Sequence, residues 1–180
     1  MALGATIYHF TIRLNHVDRG VYETLELKVA RHPSEAAEYL VTRVLAYCLE
    51  YTEGIAFSRG LSEPDEPPIA VRDLTGTLLT WVEIGSPDAA RLHKASKAAP
   101  RVAVYTHKNA AQLVRALGNE RIHRAEALEL HAVEREFVAD LVSRLGRRTE
   151  LDLSVTDRHV YASIGGDTLS SEIRQVSLAP

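Results

Sequence analysis

The sequence predicts an α/β domain on a mixed central sheet flanked by helices, and three observations carry that prediction. Runs of apolar residues with period two recur along the whole chain, as strands with one buried face require. Between them lie segments whose apolar residues repeat every three or four positions, with capping residues ahead and glycine or proline behind. The 180 residues, 46% hydrophobic and 25% charged, are enough for one domain with a substantial core.

The first two strands form a hairpin. Ala5 to Leu14 alternates, Asn15 to Gly20 reads as a turn, and Val21 to Ala30 continues with Leu25, Leu27 and Val29 on one face. His32-Pro33-Ser34 opens a helix, with Ser34 as cap and Glu35 in the first turn, running to about Tyr51. Leu40, Val41, Val44, Leu45 and Cys48 form its buried stripe, and Gly54 ends it.

A short strand at Ile55 to Ser58 enters an acidic, proline-rich stretch from Gly60 to Pro68, expected as an ordered loop over the sheet. Strands are expected at Ile69–Asp73 and Leu78–Ile84. Gly85-Ser86-Pro87 then turns into a helix reaching Ala98, with Ser86 as cap and Pro87 in its first turn. Val102 to Tyr105 reads as a central strand and Asn109 to Leu117 as a helix closed by Gly118. A strand at Ala127–Val133, a helix at Glu134–Leu145 and two strands carrying Leu151 to Val155 and Val160 to Ile164 complete the pattern, with a last turn at Gly165-Gly166-Asp167. No internal repeat or linker interrupts it, so residues 1–180 read as one domain.

Composition narrows the function. The formal charge of −3 gives no global support for tight nucleic-acid binding, which needs lysine and arginine to displace counterions. The single cysteine, Cys48, excludes an internal disulfide and any cluster of thiolate zinc ligands, and reads as a buried thiol. No leader peptide and no apolar run of about 20 residues is evident, so a cytoplasmic protein without a membrane segment is expected. No phosphate-binding glycine loop, dinucleotide fingerprint or nucleophile elbow occurs. The eight histidines lack metal-ligand spacing; His93 and His107 are the two that fall nearest the candidate site.

The most suggestive constellation is Asp73, then Glu83 on the next strand. Paired through a turn at Gly76, two such carboxylates make a site for Mg²⁺ or Mn²⁺, since hard cations prefer oxygen. On spacing alone, Asp73 serves equally well as a cap for Leu74-Thr75-Gly76. Glu83 sits among Trp81, Val82 and Ile84, so its charge needs a cation or hydrogen bonds, and Arg91, Lys94 and Lys97 recur on the helix that follows.

Several separated motifs then point one way. Gly60-Leu61-Ser62, Asp65-Glu66-Pro67, Asp73-Leu74-Thr75-Gly76 and Trp81-Val82-Glu83-Ile84-Gly85-Ser86-Pro87-Asp88, with Arg91 and Lys94-Ala95, resemble the signature of the YaeQ family. The opening Met1 to Tyr8 and Ala30-Arg31-His32-Pro33-Ser34-Glu35 fit the same family. The resemblance implies a PD-(D/E)XK, restriction-endonuclease-like core with added antiparallel strands from the N-terminal hairpin and C-terminal tail. It implies that Asp73 and Glu83 hold Mg or Mn, that Glu38 from the first helix assists, and that the acidic loop around Asp65-Glu66 walls the cleft. The lysine expected two residues after Glu83 is Gly85. Lys94 is the expected substitute, with Arg91 as charge partner, on nucleic acid or another phosphodiester substrate. The alternative is a non-catalytic binding or regulatory module that keeps the fold.

Overall fold

The computed structural model describes residues 4–58 and 65–178. The opening motif at Met1–Leu3 and the Arg59–Pro64 part of the acidic loop lie outside the described residues.

Two long strands, β1 (Thr6–His16) and β2 (Val21–Arg31), pair antiparallel over their whole length. Phe10 and Ile12 pair with Leu27 and Leu25, and Leu14 and Val29 extend the same buried side, as the alternation requires. A single 3₁₀ turn joins them, closed by Gly20 at φ +66°, a conformation that glycine enters without a Cβ penalty. Helix α1 (Ala37–Leu49) follows, starting later than expected. The Ser34 hydroxyl bonds the His32 ring, so Ser34 closes a local loop and Ala36 stands at the helix entry without a side-chain cap.

Strands β3 (Ile55–Phe57), β4 (Ile69–Arg72) and β5 (Leu78–Ile84) run as an antiparallel meander. Helix α2 (Ala89–Ala98) crosses to β6 (Arg101–Thr106), and α3 (Ala110–Gly118) crosses to β7 (Glu129–Val133). Strands β5, β6 and β7 are mutually parallel, the arrangement that such crossovers permit. Helix α4 (Arg135–Ser143) leads to β8 (Arg148–Thr156), β9 (His159–Ile164) and β10 (Asp167–Val176).

All ten strands form one sheet in the order β2-β1-β8-β9-β10-β7-β6-β5-β4-β3. Most neighbouring pairs are antiparallel; only β1 with β8, β5 with β6 and β6 with β7 are parallel. The α/β class and the mixed sheet are as expected. Strand β10 is not: the sequence reading ended on a turn, whereas this strand lies mid-sheet between β9 and β7.

One core packs α1 and α4 against the sheet around Ile12, Leu40, Val82 and Leu153. A second packs α2 and α3 against the other face of β5–β7 around Trp81, Leu92, Val104 and Leu130. Cys48 is buried in the first, where desolvation lifts its thiol to about 12 and leaves it unreactive. Among the described residues, no helix is long and apolar enough to cross a membrane.

Candidate functional site

The carboxyl end of β5 gathers the charged residues singled out by the sequence. Residues 80–84 are all buried, and Glu83 is only 3% exposed, beside Trp81 on the α2 side. The strand then breaks at Gly85, whose φ of +89° admits glycine and strains other residues. Its N–H donates to the Tyr105 carbonyl at 2.9 Å, which keeps the turn flush with β6. That geometry gives a physical reason for the glycine at this position.

Asp88 caps α2, its Oδ1 accepting from the Arg91 N–H at 2.8 Å. This is two residues on from the expected cap, Ser86; Pro87 lies before the helix and not in its first turn. The capped turn aims Arg91 back at the strand, where its Nε donates to Glu83 Oε2 at 2.7 Å. The same oxygen accepts from Trp81 Nε1 at 2.8 Å, and the guanidinium carbon lies 5.5 Å from the Trp81 ring centre. A second guanidinium nitrogen of Arg91 donates to the Glu66 carbonyl at 3.0 Å, tying the acidic loop to the helix. Lys94, one turn further along α2, pairs with Asp65.

Burial pushes the Glu83 carboxyl above its ordinary range, against the bonds from Trp81 and Arg91. Across the strand end, Tyr39 from α1 faces Gly85, within 3.8 Å of where a Cβ would lie. Its hydroxyl is raised to about 12, first by burial and then by the charge of Glu83.

The structure does not bring Asp73 to this place. In the β4–β5 register Ile69 faces Val82, so Glu83 lies beyond it at the open end of the hairpin, beside Pro68. Asp73 occupies the turn at the other end, five residues further on, about 15 Å at the usual strand rise. Its Oδ1 accepts from the Thr75 N–H at 2.9 Å, the Thr75 hydroxyl at 2.6 Å and the Thr77 N–H at 3.0 Å. Those bonds, led by the Thr75 hydroxyl, hold the exposed carboxylate below its ordinary range. The expected cation shared by Asp73 and Glu83 therefore has no geometry to support it, and the turn-cap reading of Asp73 describes what it does.

The acid tied to the same helix as Glu83 is Asp65, which pairs with Lys94 one turn beyond Arg91. The sequence reading took Asp65-Glu66 as a wall of the cleft and passed over them as site acids. The signal was present: an acidic pair just before β4 must fall beside the end of β5 once the two strands pair antiparallel.

The other candidates separate cleanly. Glu38 lies in the first turn of α1, and its charge is felt by His107. Glu35 is buried against Arg43 at 3.3 Å, an ion pair internal to the fold. His93 accepts from the His123 N–H at 3.0 Å, in the loop beyond α3. His107, two residues past the Gly85 contact on β6, meets Thr42 of α1 at 3.2 Å. Among the described residues, no three His, Cys, Asp or Glu side chains converge as a ready-made metal cage.

Comparison with known proteins places this geometry in a family. The family model described as YaeQ protein matches residues 1–173. The YaeQ protein of Escherichia coli (strain K12) is 32% identical over 164 residues, covering 91% of each chain, and that of Salmonella typhi is 30% identical over 174. The crystal structure of YaeQ from Pseudomonas syringae superposes with a TM-score of 0.84 at 30% identity, covering 96% of both chains. YaeQ from Xanthomonas axonopodis pv. citri gives 0.81 at 26% identity, covering 98% of this chain and 99% of that one. The chain belongs to the YaeQ family.

Proposed function

We propose that the carboxyl end of β5 is a variant PD-(D/E)XK site for metal-assisted hydrolysis of a phosphodiester. The observation that carries this reading is the double pairing along one helix: Arg91 on Glu83 and, one turn later, Lys94 on Asp65. Asp65 takes the part first expected of Asp73. Lys94, reaching its acid from α2, takes the part of the lysine that Gly85 cannot supply. Glu38, one residue before Tyr39, is the acid that α1 offers.

The oxygen-only donor set fits Mg²⁺ or Mn²⁺, which is held by one or two carboxylates and completes its shell with water. Asp65 and Glu83 would hold the ion, and when bound it supplies charge for a phosphoryl oxygen and a lowered pKa for water. The chain's own residues do the rest. Arg91 fixes the Glu83 carboxylate and the Glu66 backbone as one unit, which orients the acidic loop. The Lys94 ammonium, released from Asp65, stands ready to donate toward charge that develops on the substrate. Trp81 closes the floor and excludes water from one side of Glu83.

Calorimetric titration with Mn²⁺ tests the assignment. Wild type and Asp73→Ala should bind alike, whereas Asp65→Ala and Glu83→Gln should weaken binding tenfold or more. Equal binding by all four proteins, or by none, would overturn the metal site. A second reading has its own observation: both carboxylates are already neutralised by α2, as in a module that binds without turning anything over. Hydrolysis of bis(p-nitrophenyl) phosphate with Mn²⁺, lost in Lys94→Met, favours the enzyme; Mn²⁺ binding without hydrolysis favours the module.

A further inference from the structure

We propose that a second, basic pocket between β6, β7 and the start of α4 is a binding site for inorganic phosphate, which keeps a proton at neutral pH. A cavity of about 290 Å³ lies there, lined among others by His107, Lys108, Glu134, Arg135 and Arg174. It is near the lower end of volumes that hold small ligands.

Three features converge on an oxyanion. First, Lys108, Arg135 and Arg174 bring three positive charges against one acid, Glu134, and none of the three cationic side chains has a hydrogen bond or ion pair among the described residues. Their side chains come from three different elements, the loop after β6, α4 and β10. Close packing of like charges on an empty cavity costs free energy that an anion removes. Second, no side chain caps α4, so the leading N–H groups of this nine-residue helix are left for an outside acceptor. Asn109, also on the lining, caps its own helix α3 instead, accepting from the Gln112 N–H at 3.0 Å.

The third feature selects among anions. His107 is only 8% exposed and lines the same cavity. Its Nδ1 meets the Thr42 hydroxyl at 3.2 Å, but that hydroxyl already donates its one proton to the Glu38 carbonyl at 2.7 Å. Nδ1 must therefore be the donor, which leaves Nε2 with a lone pair and no proton. Burial first, then the charges of Lys108 and Arg135, keep the ring neutral against the pull of Glu38. A neutral acceptor in a basic pocket has no use for a bare anion such as sulfate. It fits an anion with an O–H to give, which hydrogen phosphate always has. The site needs neither Glu83 nor a metal, so it stands or falls apart from the hydrolytic reading.

Isothermal titration of inorganic phosphate and sulfate at pH 7 in low salt tests the pocket. Wild type should bind phosphate at least tenfold more tightly than sulfate. The Arg135→Ala, Arg174→Ala double variant, altered only at exposed positions, should lose tenfold or more in phosphate affinity, and Glu134→Gln should gain. His107→Phe should bring phosphate down to the level of sulfate. Glycerol 3-phosphate, whose phosphate is largely a proton-free dianion at pH 7, should bind more weakly than inorganic phosphate, and tighter binding would overturn the selection by His107. No phosphate binding by wild type, equal affinity in the double variant, or no preference over sulfate would each overturn the proposal.

Discussion

At the amino ends of β6 and β7, Arg101 donates to Glu50 at 2.7 and 3.0 Å and to Glu129 at 2.7 and 2.9 Å. At the carboxyl end of β5, Glu83 shares one oxygen between Arg91 and Trp81. Both clusters bury a carboxylate, yet the two acids shift in opposite directions. For Glu50 burial alone would raise the pKa, but the bonds and charge of Arg101, with a 2.6 Å bond from the Tyr105 hydroxyl, outweigh it and the carboxyl is lowered. For Glu83 burial prevails and the carboxyl is raised. His131 extends the first network, bonding Glu129 at 3.1 Å and holding it at about 2 together with Arg101. The first cluster is complete and serves the fold. The second is left with a deficit, the condition in which proteins keep groups for chemistry.

The largest effect that would break this contrast is on stability. Arg101→Ala strands Glu50 inside the protein and should cost about 2 kcal/mol, at the low end for a broken buried pair because the guanidinium is 40% exposed. Arg91→Ala should cost less, because Glu83 can take up a proton at modest cost. Urea unfolding at pH 7 compares the two, and a larger loss for Arg91→Ala would reverse the assignment of roles.

Next comes a gain. Glu83→Gln keeps an acceptor for Arg91 and Trp81 while removing a charge that burial disfavours, and should raise the urea midpoint at neutral pH. Because the folded-state pKa of Glu83 is raised, its penalty is present above that pKa and fades as pH falls toward the unfolded value near 4.5. Glu50 has the opposite sign: its contribution is present above 4.5 and is lost as pH falls through its lowered folded pKa. Glu83→Gln should therefore lose its advantage in acid, and Glu50→Gln should lose its disadvantage only at still lower pH. Parallel pH dependence in the two variants would erase the distinction.

The smallest effect belongs to Asp73→Ala, which should loosen an exposed turn and lower the melting temperature less than Arg101→Ala or Arg91→Ala. Its effect should disappear as pH drops below the carboxylate range, since the folded pKa is lowered.

Much of the architecture was legible because its signals are local. Alternation fixed β5 at Leu78–Ile84, and the helix expected from Asn109 to Leu117 is α3, with Asn109 as its cap and not its first residue. Strand β10 escaped notice because Ser171 takes an inward position, where its hydroxyl accepts from the Glu134 N–H at 3.1 Å and breaks the apolar rhythm. The site was half legible. Glu83, Arg91 and Lys94 follow from a buried acid and a helix one turn away. The partner acid depended on which end of a hairpin is open, and acids stand at both ends, Asp65 and Glu66 just before β4 and Asp73 in the turn after it. The basic pocket was not legible at all, since Lys108, Arg135 and Arg174 come from three separate elements.

The position of β10 bears on how the chain comes to be folded during synthesis. It follows the other nine described strands in sequence, yet it stitches the β2-β1-β8-β9 half of the sheet to the β7-β6-β5-β4-β3 half. Until it emerges, a nascent chain holds two partial sheets whose facing borders, β9 and β7, have unmet backbone groups open to any passing strand. Sheet closure must await residues 167–176, so a fragment stopping near Gly166 should be far more prone to aggregate than the chain that includes β10.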